Sequence, residues 1–70
     1  DVAEFIPSEG SKVTQKPVKD LGLPVGMTIG GLVRDGVGLL VSGNTMIQPG
    51  DSVMVFCHNV NMKKIEKFFL

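Results

Sequence analysis

Apolar positions in this chain come in short runs divided by clusters of turn-forming residues, and the spacing inside each run sorts it into strand or helix. Val2, Phe5 and Ile6 mix β-branched and aromatic side chains before Pro7, which suits a short strand leaving a sheet. Ser8, Glu9, Gly10 and Ser11 make a polar turn. In "TQKPVKDLGLP", Pro17 fits the first turn of a short helix whose last turn falls near Asp20 and Leu21, with Gly22 to stop it and Pro24 to prevent its resumption. "GMTIGGLVRDGVGLLV" holds two apolar runs joined at Asp35-Gly36, where both residues tolerate positive φ, so a two-residue hairpin is expected. Ser42-Gly43-Asn44 and Pro49-Gly50 are further turns, and the strand "SVMVFC" follows the second.

Alternation in that last strand sends Val53, Val55 and Cys57 to one face and Met54, Phe56 and His58 to the other. Both faces are apolar for most of its length, so both call for cover. One layer is a closing helix capped by Asn59, in which Met62, Ile65 and Phe69 fall at helical spacing and Phe68 widens the stripe. Lys63, Lys64, Glu66 and Lys67 then face water. The second layer must come from the short helix, from sheet curvature or from another subunit. The expected fold is a small α+β domain over residues 1–70, in the order β-α-β-β-β-α. Its sheet is mainly antiparallel, with one short helix and an amphipathic C-terminal helix.

Size sharpens the question of cover. A chain of 7.5 kDa buries roughly 60 per cent of the surface its unfolded form exposes, a marginal core. One cysteine excludes an internal disulfide, and the ligands for a structural metal are too few, which leaves burial against a partner. Seven basic groups balance seven acidic ones, so composition makes no claim on nucleic acid or on anionic lipid. No apolar run approaches the 18 or so residues of a membrane span. A lone cysteine with no Asn-x-Ser/Thr acceptor suits a reducing, cytosolic compartment. The chain starts at "DVAEFIP" and ends on "KFFL", and it reads as a piece of a longer protein.

Few residues carry legible chemistry. "GSKVT" lacks the phosphate-loop spacing, and Gly36-x-Gly38-x-x-Val41 lacks the third glycine and the following helix of a dinucleotide fingerprint. Cys57 and His58 are adjacent on a strand and so point to opposite faces; they make no nucleophile and base pair. Cys57 reads as a small apolar core residue and His58 as a strand-end group, with ligand contact or pH sensing as the alternative role. Asp20, Asp35 and Asp51 sit in turns or at a helix end, where aspartate serves local geometry. The Lys63, Lys64 and Lys67 cluster reads as a solvated helix face, with phosphate contact as its alternative. Arg34 is the only arginine, at a strand end downstream of Gly30 and Gly31. A guanidinium beside bare backbone can receive a phosphate or carboxylate; equally, it can be spent in a salt bridge. No catalytic or metal-binding residues are assigned, and the chain is read as no enzyme.

Taken together, "PSEGSKVTQKPVKDLGLP", "GGLVRDG", "NTMIQPGDSVMVF" and the terminal "KKIEKFF" resemble the C-terminal domain of the regulator of K⁺ conductance family, also called the TrkA C-terminal domain. "KPVKDLGLP" is similar to the family's Gly-Lys-x-Leu-x-Asp-Leu-x-Leu-Pro. "TMIQPGDSVMVF" is similar to its Thr-x-Leu-x-x-Gly-Asp-x-Leu-x-Val-x-Gly. Gln15 stands where a glycine is common, and Cys57 or His58 where the strand often ends in glycine. The resemblance implies a cytoplasmic domain that homodimerises, lies behind an upstream Rossmann-type nucleotide-binding domain, and acts on a potassium channel or transporter membrane subunit. It implies no cofactor, and a small ligand at the dimer interface, a nucleotide such as cyclic di-AMP in some members.

Two functional expectations follow. One is a ligand sensor in which Thr28, Ile29, Gly30, Gly31, Arg34 and His58 meet an anionic molecule. The other is an assembly module that only dimerises, through Leu32, Met54 and Phe56.

Overall fold

The computed structural model describes all 70 residues. Four strands form one antiparallel sheet in the order β1-β4-β2-β3: β1 (Val2–Phe5), β2 (Met27–Arg34), β3 (Val37–Leu40) and β4 (Ser52–Cys57). The α+β class, the element order and the bounds of the last strand agree with the sequence pattern. At the β2–β3 hairpin Asp35 and Gly36 take φ of 51° and 77°, the paired positive values that let a two-residue turn follow the twist of its strands. Gly50 at φ 86° supplies the left-handed position in the turn leading to β4.

The expected short helix is a single 3₁₀ turn, Val18–Asp20, preceded by Pro17 and followed by Leu21 and a left-handed Gly22. A second 3₁₀ turn, Lys12–Thr14, occupies a stretch adjoining the expected polar turn. The closing helix α1 is only Met62–Glu66, running on into a turn, and its cap is Asn61 rather than Asn59. The Asn61 side chain accepts the Lys63 N–H at 2.8 Å, whereas Asn59 has φ 55° and turns the chain between β4 and the helix. Ile65 and Phe69 of the predicted stripe are buried and Phe68 is half-buried, but Met62 faces solvent.

These turns and α1 lie on one face of the sheet. Val13, Met27, Ile29, Leu32, Ile47, Val53, Val55, Ile65 and Phe69 form the core there, and Phe5 stacks on Phe69 at 4.7 Å between ring centroids. The chain exposes 4447 Å², close to the roughly 4,250 Å² its mass leads one to expect. The marginal core is thus all on one side. No helix is long and apolar enough to cross a membrane.

A β-bulge decides which residues share a face. Ile29 pairs with Val55 but Gly31 with Met54, so Gly30 and Gly31 together oppose one step of β4. Up to the bulge Met27 and Ile29 point to the core; beyond it the parity flips, and Leu32 and Arg34 point there instead. Without the extra residue Val33 would face inward and Leu32 outward.

Candidate functional site

The uncovered face is built from alternate residues of all four strands. Val2 pairs with Phe56, Phe56 with Thr28, and Met54 lies between Glu4 and Gly31, which in turn pairs with Leu40. Val2, Val33, Leu40, Met54 and Phe56 are all exposed there, from 36% for Met54 to 94% for Leu40. Phe56 lies over Gly30: a Cβ added to Gly30 would stand 2.6 Å from the ring, so the glycine is what admits it. Met54 and Phe56, the two β4 residues expected at an interface, both lie on this open face. Leu32 is not: at 2% exposure it belongs to the chain's own core, because the bulge turns it inward. Val2, Val33 and Leu40 stand on the open face instead. The consecutive glycines were the only sequence signal for that exchange.

The expected ligand residues divide into two groups. At one end of β2, Thr28 and His58 share a shallow depression of about 380 Å³ with Val2, Gly26 and Phe56. The Asn59 side-chain amide lies 3.4 Å from His58 Nε2. Ile29 offers only backbone, its side chain being buried. Gly30 and Gly31 sit mid-strand at the bulge. Arg34 lies six residues beyond Thr28, roughly 20 Å along the strand, and points to the opposite face.

Arg34 has a partner in its own chain. Nε donates to Asp51 Oδ1 at 2.9 Å and Nη2 to Oδ2 at 2.7 Å, with a further bond from Nη2 to the Met46 carbonyl at 3.1 Å. This bidentate fork is the salt-bridge alternative of the two open for Arg34. Asp51 is 2% exposed and also accepts the Gln48 N–H at 2.8 Å, closing the Pro49-Gly50 turn. It thus does more than shape a turn, although its position beside "PG" gave no hint of a part-buried ion pair. The guanidinium's hydrogen bonds hold the Asp51 carboxyl below its ordinary range against the opposing effect of burial, and the same bonds raise Arg34. Together the pair clips the end of β2 to the start of β4.

Comparison with known proteins matches the chain, over residues 2–70, to the family described as the TrkA-C domain. It is 36% identical over 61 residues to the Trk system potassium uptake protein TrkA of Azorhizobium caulinodans, covering 87% of this chain and 13% of that protein. It is 28% identical over 69 residues to Trk system potassium uptake protein TrkA homolog 1 of Methanosarcina mazei, covering 99% of this chain and 15% of that one. The chain therefore spans about one seventh of the length of these relatives.

Proposed function

The chain belongs to the TrkA-C domain family, and from that premise we propose that it is a regulatory domain of a potassium uptake system. In this reading it pairs with a second copy through the open face of its sheet and senses a small anionic ligand there. The observation that carries it is the uneven cover of the sheet: five apolar residues from all four strands lie in the open on one face, while on the other β1, β2 and β4 are packed and only β3 leaves Val37 and Leu39 exposed. A second copy supplies the missing layer and enlarges a core that is marginal alone.

The ligand is placed at the depression of Thr28, Phe56 and His58, with the backbone of Ile29, Gly30 and Gly31 beside it. A cyclic di-AMP or other nucleotide-type anion bound where two copies meet would favour whichever dimer arrangement it fits better, by its difference in affinity for the two. That bias would pass to the rest of the protein: a Rossmann-type domain upstream and a membrane channel or transporter subunit, with this domain in the cytoplasm at the membrane's inner face. Arg34 enters the site only if it leaves Asp51. That engagement favours a second reading, a dimerisation module that binds no ligand.

Sedimentation equilibrium should return twice the 7.5 kDa of one chain, and Phe56→Asp should give a folded monomer by far-UV circular dichroism. A parent chain that stays monomeric at high concentration removes the pairing. Calorimetric titration with cyclic di-AMP, ATP and AMP should give heat with one of them, lost in Phe56→Asp; no heat with any leaves only the module.

A further inference from the structure

The balanced charge of this chain conceals a segregated one. All six lysines lie in the segments that cover the core: Lys12, Lys16 and Lys19 in the crossover from β1 to β2, and Lys63, Lys64 and Lys67 in the closing helix and its turn. Every one is exposed. Against Glu9, Asp20 and Glu66 they leave this layer three charges positive. The sheet and its loops hold Asp1, Glu4, Asp35 and Asp51 against Arg34, three charges negative, and Arg34 and Asp51 neutralise each other.

The two lysine-bearing segments touch at Lys12, while Lys19 lies against Gly43. The Val13 N–H donates to the Phe68 carbonyl at 2.9 Å, and the Lys12 ammonium lies 5.7 Å from the centre of the Phe68 ring, beside Lys67 in the chain. Lys12 and Lys16 also flank a cleft of about 300 Å³ with Gln15, Asp20 and Leu21. Arg34–Asp51 is the one ion pair in the molecule, so all six ammonium groups are unpaired. Met62 and Leu70, at the two ends of the closing segment, are exposed apolar side chains next to its lysines.

We propose that this lysine layer is a docking surface for an anionic phospholipid membrane. The chemistry favours a lipid surface over a folded acidic partner. Lysines are hydrated point charges without the planar fork that fixes a specific carboxylate or phosphate, and here none is held by an acidic partner, Lys12 alone resting over an aromatic ring. Such a layer responds to charge density within a Debye length, which an anionic bilayer supplies over the whole layer at once. Met62 and Leu70 provide apolar contact at the headgroup boundary. The surface lies opposite the open face of the sheet, so it is independent of the pairing proposed above and stays free when that pairing forms.

The test is co-sedimentation of the 70-residue chain with vesicles of phosphatidylcholine containing about 40% phosphatidylglycerol, at about 25 mM salt. The parent should bind these, should not bind pure phosphatidylcholine, and should be released near 300 mM salt, where the Debye length falls to roughly a third. Each lysine near an anionic surface is worth about a fivefold factor in binding, so changing Lys63, Lys64 and Lys67 together to Gln should weaken it about a hundredfold. Neutralising Glu4→Gln and Asp35→Asn on the sheet should change binding less than twofold; an increase as large as the triple variant's loss would mean that total charge, not this layer, is at work. Binding to pure phosphatidylcholine, no binding to the anionic vesicles, or an unaffected triple variant overturns the proposal. So does release by inorganic phosphate at constant ionic strength, which marks a discrete anion site, or equal retention by a polyglutamate resin, which marks a polypeptide partner. Dimer formation unchanged in the triple variant keeps this outcome distinct from failure of the sheet pairing.

Discussion

Cutting the Arg34–Asp51 clip from either end should give unequal losses, because the two partners differ in access to water. Asp51 is almost sealed, with its side chain 3% exposed against 27% for Arg34. Asp51→Ala removes both charge-assisted bonds and the Gln48 contact, but the stranded guanidinium can turn into solvent and recover its hydration. Discounting the two bonds of the part-exposed fork together to about 1.5 kcal/mol and adding about 1 kcal/mol for the Gln48 bond, the cost is about 2–3 kcal/mol, or roughly 10–20 °C in Tm for a domain of this size. Arg34→Ala should cost more at neutral pH, since it leaves a buried carboxylate with one N–H donor. The double variant should lose less than the sum of the two.

The pH dependence separates the variants further. In the parent, the lowered Asp51 pKa means the clip stabilises fully above the ordinary carboxylate value of about 3.9 and is lost as pH falls through the lowered value. In Arg34→Ala the hydrogen bonds that lower it are gone and burial pushes Asp51 upward, so protonation relieves the variant as pH drops. Its deficit against the parent should therefore narrow as the pH falls from neutral toward the ordinary carboxylate range. Urea denaturation followed by circular dichroism from pH 7 to pH 3 measures this directly. Equal losses from both single variants, a flat deficit across that range, or strict additivity in the double variant would mean that Arg34 and Asp51 are not coupled in this way.

Two further stability tests follow from the packing. Gly26 has φ 92° and a Cβ there would stand 2.3 Å from the His58 carbonyl oxygen, whereas Gly38 has no atom within 4 Å of its Cβ position and no positive φ. Gly26→Ala should cost at least about 2 kcal/mol and loosen the junction of β2 and β4, while Gly38→Ala should be neutral within about 0.5 kcal/mol by thermal melting; similar losses would contradict the backbone geometry. The Ser11 hydroxyl is buried without a hydrogen-bond partner. Ser11→Ala should leave Tm unchanged or raise it, by up to about 1 kcal/mol of stability; a clear loss would mean the hydroxyl has an unseen role.

Local chemistry made much of the fold readable. "DG" announced its hairpin, "PG" its turn, and the alternation of "SVMVFC" its strand, because each depends on residues close in sequence. The closing helix was readable in outline but not at its start, since Asn59 and Asn61 are equally good caps on paper and only the bend after β4 distinguishes them. The faces of β2 were harder. They depend on whether two glycines take one step or two against β4, a matter of register with a strand twenty residues away. That single residue of slip sent Leu32 into the core and Arg34 to Asp51. The candidate ligand residues Thr28 and His58 come to line one depression at the β2–β4 pairing, but Arg34 joins neither. Charge segregation was equally hidden, because composition sums over faces that only the fold divides.

Pairing through the open face would leave that face buried in the dimer and the opposite layer free. Solvent paramagnetic relaxation by NMR, recorded on the parent chain over a range of concentrations, tests both halves together. As concentration rises, protection should appear at Val2, Val33, Leu40, Met54 and Phe56, and the lysine layer around Lys12, Lys16 and Lys64 should remain as accessible as before. Protection that appears on the lysine layer instead, or an open face equally accessible at every concentration, would mean that the copies do not pair through the sheet.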